Sequence, residues 1–167
     1  MTRAMWSMLL GGSCALLGAC GDEPGAEKDA KATQYAIQVH VPLATDPCGV
    51  VTATASVMGP VRNIAPVPIE VVNDAIQGAI MDVPVGRQHQ VFVKAYTDSG
   101  LEAYSGVSTV DVNEAGAGFG GASIFMFSRG ENCPAGGTEG IRIIGSLESV
   151  VVDSSGSPLA PAPQFIP

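Results

Sequence analysis

Basic side chains are scarce in this chain of 167 residues, where eight Lys and Arg stand against sixteen Asp and Glu, a formal net charge of -8. Nucleic-acid affinity rests mainly on Lys and Arg displacing counterions from phosphates, so that class of partner is disfavoured. Imidazole is scarcer still: His40 and His89 are the two histidines. Nucleophilic catalysis needs a Ser or Cys with a base in hydrogen-bond reach, and no Gly-x-Ser-x-Gly elbow occurs. Neither His-Glu-x-x-His nor Cys-x-x-Cys is present, and Asp46, Asp74, Asp82, Asp98 and Asp111 follow no calcium-loop spacing. The glycines at 116, 118, 120 and 121 precede an apolar strand pattern and no P-loop lysine follows, which argues against a phosphate cradle. Aromatic residues make up 5% of the chain, and sugar hydrolases usually present several in a cleft. These absences predict a non-catalytic protein with no metal and no cofactor.

Long hydrophobic runs are also missing. The longest, Ala4 to Leu17, spans about 14 residues, short of the roughly 20 that a membrane-spanning helix needs. Arg3 precedes it, and Leu17-Gly18-Ala19-Cys20 ends it. A positive start, a short apolar core and small residues before the end make a signal peptide. The last four residues resemble the lipobox of bacterial lipoproteins. That resemblance implies removal of residues 1–19, a diacylglycerol thioether on Cys20, and acylation of the new amino terminus. It implies a lipid bilayer as partner, held through acylated Cys20, because several acyl chains anchor a protein far more firmly than one. Gly21 stands where enteric lipoproteins retained in the inner membrane carry Asp, so the outer membrane is the expected location.

With Cys14 leaving in the leader and Cys20 lipidated, Cys48 and Cys133 remain. Outside the cytosol a thiol pair oxidises, so a Cys48–Cys133 disulfide is expected. Residues 20–33 are small and charged without apolar periodicity and read as a flexible acidic tether. Residues 34–152 carry the folded domain. The tail, 153–167, holds prolines at 158, 161, 163 and 167 and reads as extended and disordered.

Within the domain the period is two. Ile37, Val39 and Val41 alternate with Gln38 and His40, which places His40 on the solvated phase. Val50 to Met58 forms a second strand. Pro66 and Pro68 break the next segment, so only Ile69 to Val72 is expected to pair well, at a sheet edge. Ala75 to Val83 reads as a strand with Ile76 and Ile80 inward. His89 to Thr97 is the strongest strand pattern, and Asp98-Ser99-Gly100 turns it into a hairpin partner, Leu101 to Val112, whose slip of phase predicts a bulge at Gly106. Ala122 to Phe127 is apolar on both phases, as a central strand is. Ile141 to Val152 reads as a final hairpin or an extra edge strand.

Seven to eight short strands with almost no helix predict an all-β, antiparallel Ig-like β-sandwich. The stretch from Gln77 to Phe127 contains Val83-Pro84-Val85-Gly86, then Val91 to Gly100 ending in Tyr96-Thr97-Asp98-Ser99-Gly100, then Tyr104-Ser105-Gly106. It resembles the Ig-like or prealbumin-like modules of bacterial envelope lipoproteins and adhesins. The resemblance implies binding, anchoring or assembly rather than chemistry. The leading expectation is a structural or protein-interaction module. A second is a glycan-binding lipoprotein using an aromatic face of Phe92, Tyr96 and Tyr104. A third is an accessory of a secretion or surface-assembly complex that offers an edge strand to a partner.

Overall fold

A computed structural model of the chain describes residues 34–44, 46–114, 121–133, 140, 142–153 and 155–159. The leader, Cys20 and the tether lie outside these residues, as does the tail beyond 159. The described chain is all-β, with a single 3-10 turn at Gly130–Asn132. Eight strands run in order: β1 (Gln34–Pro42), β2 (Val50–Met58), β3 (Ile64–Val72), β4 (Ala75–Ile80), β5 (Gly86–Thr97), β6 (Glu102–Val112), β7 (Ala122–Ser128) and β8 (Arg142–Val152). All neighbours pair antiparallel, and the sheet closes on itself in the order β1-β4-β3-β2-β5-β6-β7-β8.

Closure corrects the sandwich expectation. Strand spacing reports how many strands there are; whether two sheets stay apart depends on long-range edges that spacing does not encode. Here both pairs of edges meet over short seams. β3 joins β4 through Glu70 to Val72 against Gln77 to Ala75, and β6 joins β7 through Tyr104 to Gly106 against Ser128 to Met126. Between the seams lie two four-stranded halves, β3-β2-β5-β6 and β4-β1-β8-β7.

Alternation fills the inside and wets the outside. Val39, Val41, Val57, Ile76, Ile80, Val91, Val93, Ile124, Met126 and Leu147 are buried in one core. Gln90, Lys94, Ser146 and Glu148 face outward, as does His40, where it was expected. A tightly packed apolar interior differs from the polar lumen of a membrane-spanning barrel. No helix among the described residues is long and apolar enough to cross a membrane.

Several local expectations change. β3 is a full strand from Ile64, its ladder to β2 shifting between Ala55 and Val57. Pro66 and Pro68 fit there because β3 meets β4 only beyond them, so their missing N–H groups cost no ladder bond on that side. Asn73 and Asp74, both at positive φ (50° and 53°), form the two-residue turn into β4. The β5–β6 ladder runs unbroken through Val93 and Gly106; its register shifts elsewhere, once at Ala103, between the pairs Ala95–Tyr104 and Tyr96–Glu102, and once between Gly86 and His89. Gly106 answers a different need: a Cβ there would lie 2.5 Å from the Phe125 carbonyl oxygen, so glycine lets β7 close the seam. β8 is one continuous strand between β7 and β1, neither hairpin nor edge. A Cβ on its Gly145 would meet Val41 Cγ2 at 2.5 Å and the His40 carbonyl at 2.6 Å.

The tail begins with order. Asp153 Oδ1 accepts the N–H groups of Ser155 (2.8 Å) and Ser157 (3.1 Å), and Pro158 bridges back to Val152. The Leu159 N–H then donates to the Val151 carbonyl at 2.8 Å.

Candidate functional site

Residues expected to bear function separate into three places. Cys48 and Cys133 are joined as a disulfide that bridges the loop before β2 to the segment after β7. Beside it, Asp46 organises the end of the barrel. Its Oδ1 accepts the Cys48 N–H and its Oδ2 the Val50 N–H, both at 2.7 Å, and Oδ1 also accepts the Tyr104 hydroxyl at 2.9 Å. The hydroxyl lies 3.2 Å from Cys48 Sγ, a contact with a disulfide sulfur that has no proton to give. Burial, then the adjacent Asp46 carboxylate, pushes the Tyr104 phenol well above its ordinary range.

Tyr104 therefore leaves the expected aromatic face. It is fully buried and pairs with Ala95, so its ring enters the core while Phe92 and Tyr96 point outward on β5. The bulge at Ala103 reverses the parity that a simple hairpin count gives Tyr104.

The face that does form lies on β5 to β8. Phe92 pairs with Val107, and Phe125 with Ile144. Gly106 opposes Met126, which brings Val107 beside Phe125, so the four side chains make one outward row across four strands. The next row is Lys94, Ser105, Phe127 and Arg142, each paired with the one before it. Phe125, Phe127, Val107 and Ile144 are 42%, 51%, 52% and 54% exposed, high values for large apolar side chains gathered in one place. Apart from Ile144, which lies beside it, the residues of the two rows line a groove of about 530 Å³, within the roughly 300–1,000 Å³ usual for ligand sites.

Charged groups rim this apolar floor. Lys94 Nζ meets Glu102 Oε2 at 2.8 Å, and Arg129 Nε meets Glu102 Oε1 at 3.2 Å. Burial pushes the Glu102 carboxyl up, but hydrogen bonds from Lys94, Ser105 and Arg129 outweigh it and the net shift is downward. Its hydrogen bond to Glu102 holds the Lys94 ammonium above the ordinary value. Arg142 makes no ion pair among the described residues.

Phe125 and Phe127 are the residues that sequence reading placed wrongly, as part of a strand buried on both faces. The signal was available: in a half-solvated antiparallel strand, apolar residues on both phases leave one set exposed. No group of three or more His, Cys, Asp or Glu among the described residues is arranged to hold a metal ion. No protein-family model matches this chain, and no curated protein matches it significantly.

Proposed function

We propose that this chain is a non-catalytic lipoprotein of the outer membrane, anchored through acylated Cys20, whose barrel serves as a protein-interaction module. The observation that supports the interaction role is the outward apolar row Phe92, Val107, Phe125 and Ile144, with Phe127 beside it, which gathers several exposed large apolar side chains side by side on neighbouring strands. Burying such a row against a partner releases its water, worth about 25 cal/mol per Å². Leaving it bare is costly for a protein that must stay dispersed. The floor is mainly phenylalanine and aliphatic, and the Ser105 hydroxyl at its edge is engaged by Glu102, so it suits protein side chains better than the polyol surface of a glycan. Loss of Tyr104 from the face weakens the glycan reading further.

The edge-strand reading has less support. The open stretch of β3 carries Pro66 and Pro68, which cannot donate to an added strand.

Two experiments test the proposal. Mass spectrometry of the mature amino terminus should find a lipid-modified Cys20, and an unmodified peptide starting at Ala or Gly would refute the anchor. A photocrosslinking residue at position 127 should give a discrete protein adduct in cells, with none from the same residue at position 148 on the polar exterior. Equal labelling at both positions would refute the binding face.

A further inference from the structure

We infer that the groove on β5 to β8 takes an acidic, amphipathic peptide segment of a partner protein, with an apolar side chain between Phe92, Phe125 and Phe127 and a carboxylate on Arg142. The inference rests on the binding-face reading above and gives it a chemistry. Among the described residues that line the groove, three cations, Lys94, Arg129 and Arg142, stand with one carboxylate, Glu102, an excess of two positive charges by count (3 - 1). The whole chain carries -8, so this is a basic spot on an acidic background. Complementary charge of that kind selects an anionic partner and steers its approach.

Arg142 decides the class. Glu102 already engages Lys94 and Arg129, whereas the Arg142 guanidinium has no carboxylate among the described residues. A guanidinium fork binds a carboxylate through two parallel N–H bonds, stronger than neutral hydrogen bonds. Its row neighbour is Phe127, one strand spacing (about 4.8 Å) away along the backbone, so a ligand held on Arg142 has an aromatic side chain beside it. From Phe92 to Ile144 the row crosses three such spacings, about 14 Å, which matches four to five extended residues at about 3.3 Å each. An anionic membrane fits less well, because a flat charged surface would also meet the acidic remainder of the barrel.

Panning the purified full-length chain against a random octapeptide library displayed on phage tests the inference. Enriched sequences should combine Asp or Glu with Phe, Leu or Ile. The best of them, synthesised and measured by fluorescence anisotropy, should lose about tenfold or more in affinity with Arg142→Glu and with Phe127→Ser, while both variants keep the parent's thermal unfolding. Affinity should fall as salt rises. Enrichment of basic or uncharged sequences, no enrichment at all, or an affinity indifferent to Arg142→Glu would overturn it. So would binding to phosphatidylglycerol vesicles that depends on Arg142 while no peptide binds. If crosslinks at position 127 persist in any of those cases, the binding face stands and only its acidic-peptide chemistry is lost.

Discussion

Tyr104 and His89 are both completely enclosed, at opposite ends of the same β5–β6 ladder, and their surroundings differ in one respect. The Tyr104 hydroxyl has Asp46, which is itself held by two backbone N–H groups beside the disulfide. Neither ring nitrogen of His89 has a hydrogen-bond partner. Its ring is held by shape: a Cβ on Gly59 would come within 2.5 Å of Nδ1, and one on Gly86 within 3.2 Å of Nε2. Equal burial thus coexists with opposite polar accounting. At one end the buried aromatic is tied by a directional bond beside a covalent link. At the other, hydrogen bonds such as Gln88 N–H to Asp111 Oδ1 (2.8 Å) secure the neighbouring chain, while the imidazole itself is held by packing and gave up its water without replacement.

The largest way to break the comparison is to cut the tied end. Replacing Cys48 and Cys133 together by Ala should cost about 2–5 kcal/mol, because an 85-residue separation lets the crosslink remove much of the unfolded chain's freedom. Thermal unfolding of parent and variant measures it, and a melting temperature unchanged by the double substitution would show that this end needs no crosslink. Next comes Tyr104→Phe, which keeps the ring and removes the bond to a charged acceptor. About 1–3 kcal/mol should be lost by denaturant titration, with the disulfide intact.

How much of this contrast was legible in the sequence depends on the range of the interaction. The disulfide followed from the cysteine inventory, β1, β2 and β5 followed from period-two alternation, because an apolar phase is a local property, and β4 followed from Gly78 and Pro84, which oppose a helix there. The inward positions of Ile76 and Ile80 came the same way. Tyr104 was misread because a single extra residue at Ala103 switches the strand residues beyond it to the other face. Phe125 and Phe127 were misread because two apolar phases do not say which is covered. The barrel itself was illegible: closure needs β3 to meet β4 and β6 to meet β7, and glycines such as Gly106, which lets β7 approach β6, and Gly145, which lets β8 lie close to β1, resemble ordinary loop or turn glycines until their neighbours are known. The close fit around His89 was equally hidden, since it depends on Gly59, just past the end of β2, and on Gly86, three residues earlier on its own strand.

Those glycines offer the sharper test of the packed end. Gly59→Ala places a methyl against the His89 ring and near the Arg62 carbonyl, 3.0 Å away, and overpacking of this kind costs about 1–3 kcal/mol. If the ring is the obstacle, His89→Ala should make room. A double-mutant cycle should then give a favourable coupling of about 0.5 kcal/mol or more. Additive effects would mean that the Arg62 carbonyl, not the imidazole, sets the limit at Gly59.

The smallest expected effect separates the two ends by pH. Burial lowers the His89 pKa, against the opposing pulls of the Pro84 carbonyl, which acts on the ring without meeting hydrogen-bond geometry, and the Asp111 carboxylate. Above pH 6.5 the ring is neutral both folded and unfolded and makes no pH-dependent contribution. As pH falls below about 6.5 the unfolded chain takes up a proton that the folded barrel refuses, so stability declines until the lowered folded pKa is passed. His89→Leu removes both unpartnered nitrogens at similar volume. It should therefore leave stability near pH 8 equal or slightly raised, and flatten the decline between pH 6.5 and 5 by up to about 1–2 kcal/mol. Tyr104→Phe should leave that slope unchanged, since a phenol pushed upward does not titrate there. Denaturant titrations of parent and both variants at pH 8, 6.5 and 5 decide the matter. A slope that survives His89→Leu would assign the acid sensitivity to the carboxylates and show that the enclosed imidazole is tolerated in either charge state.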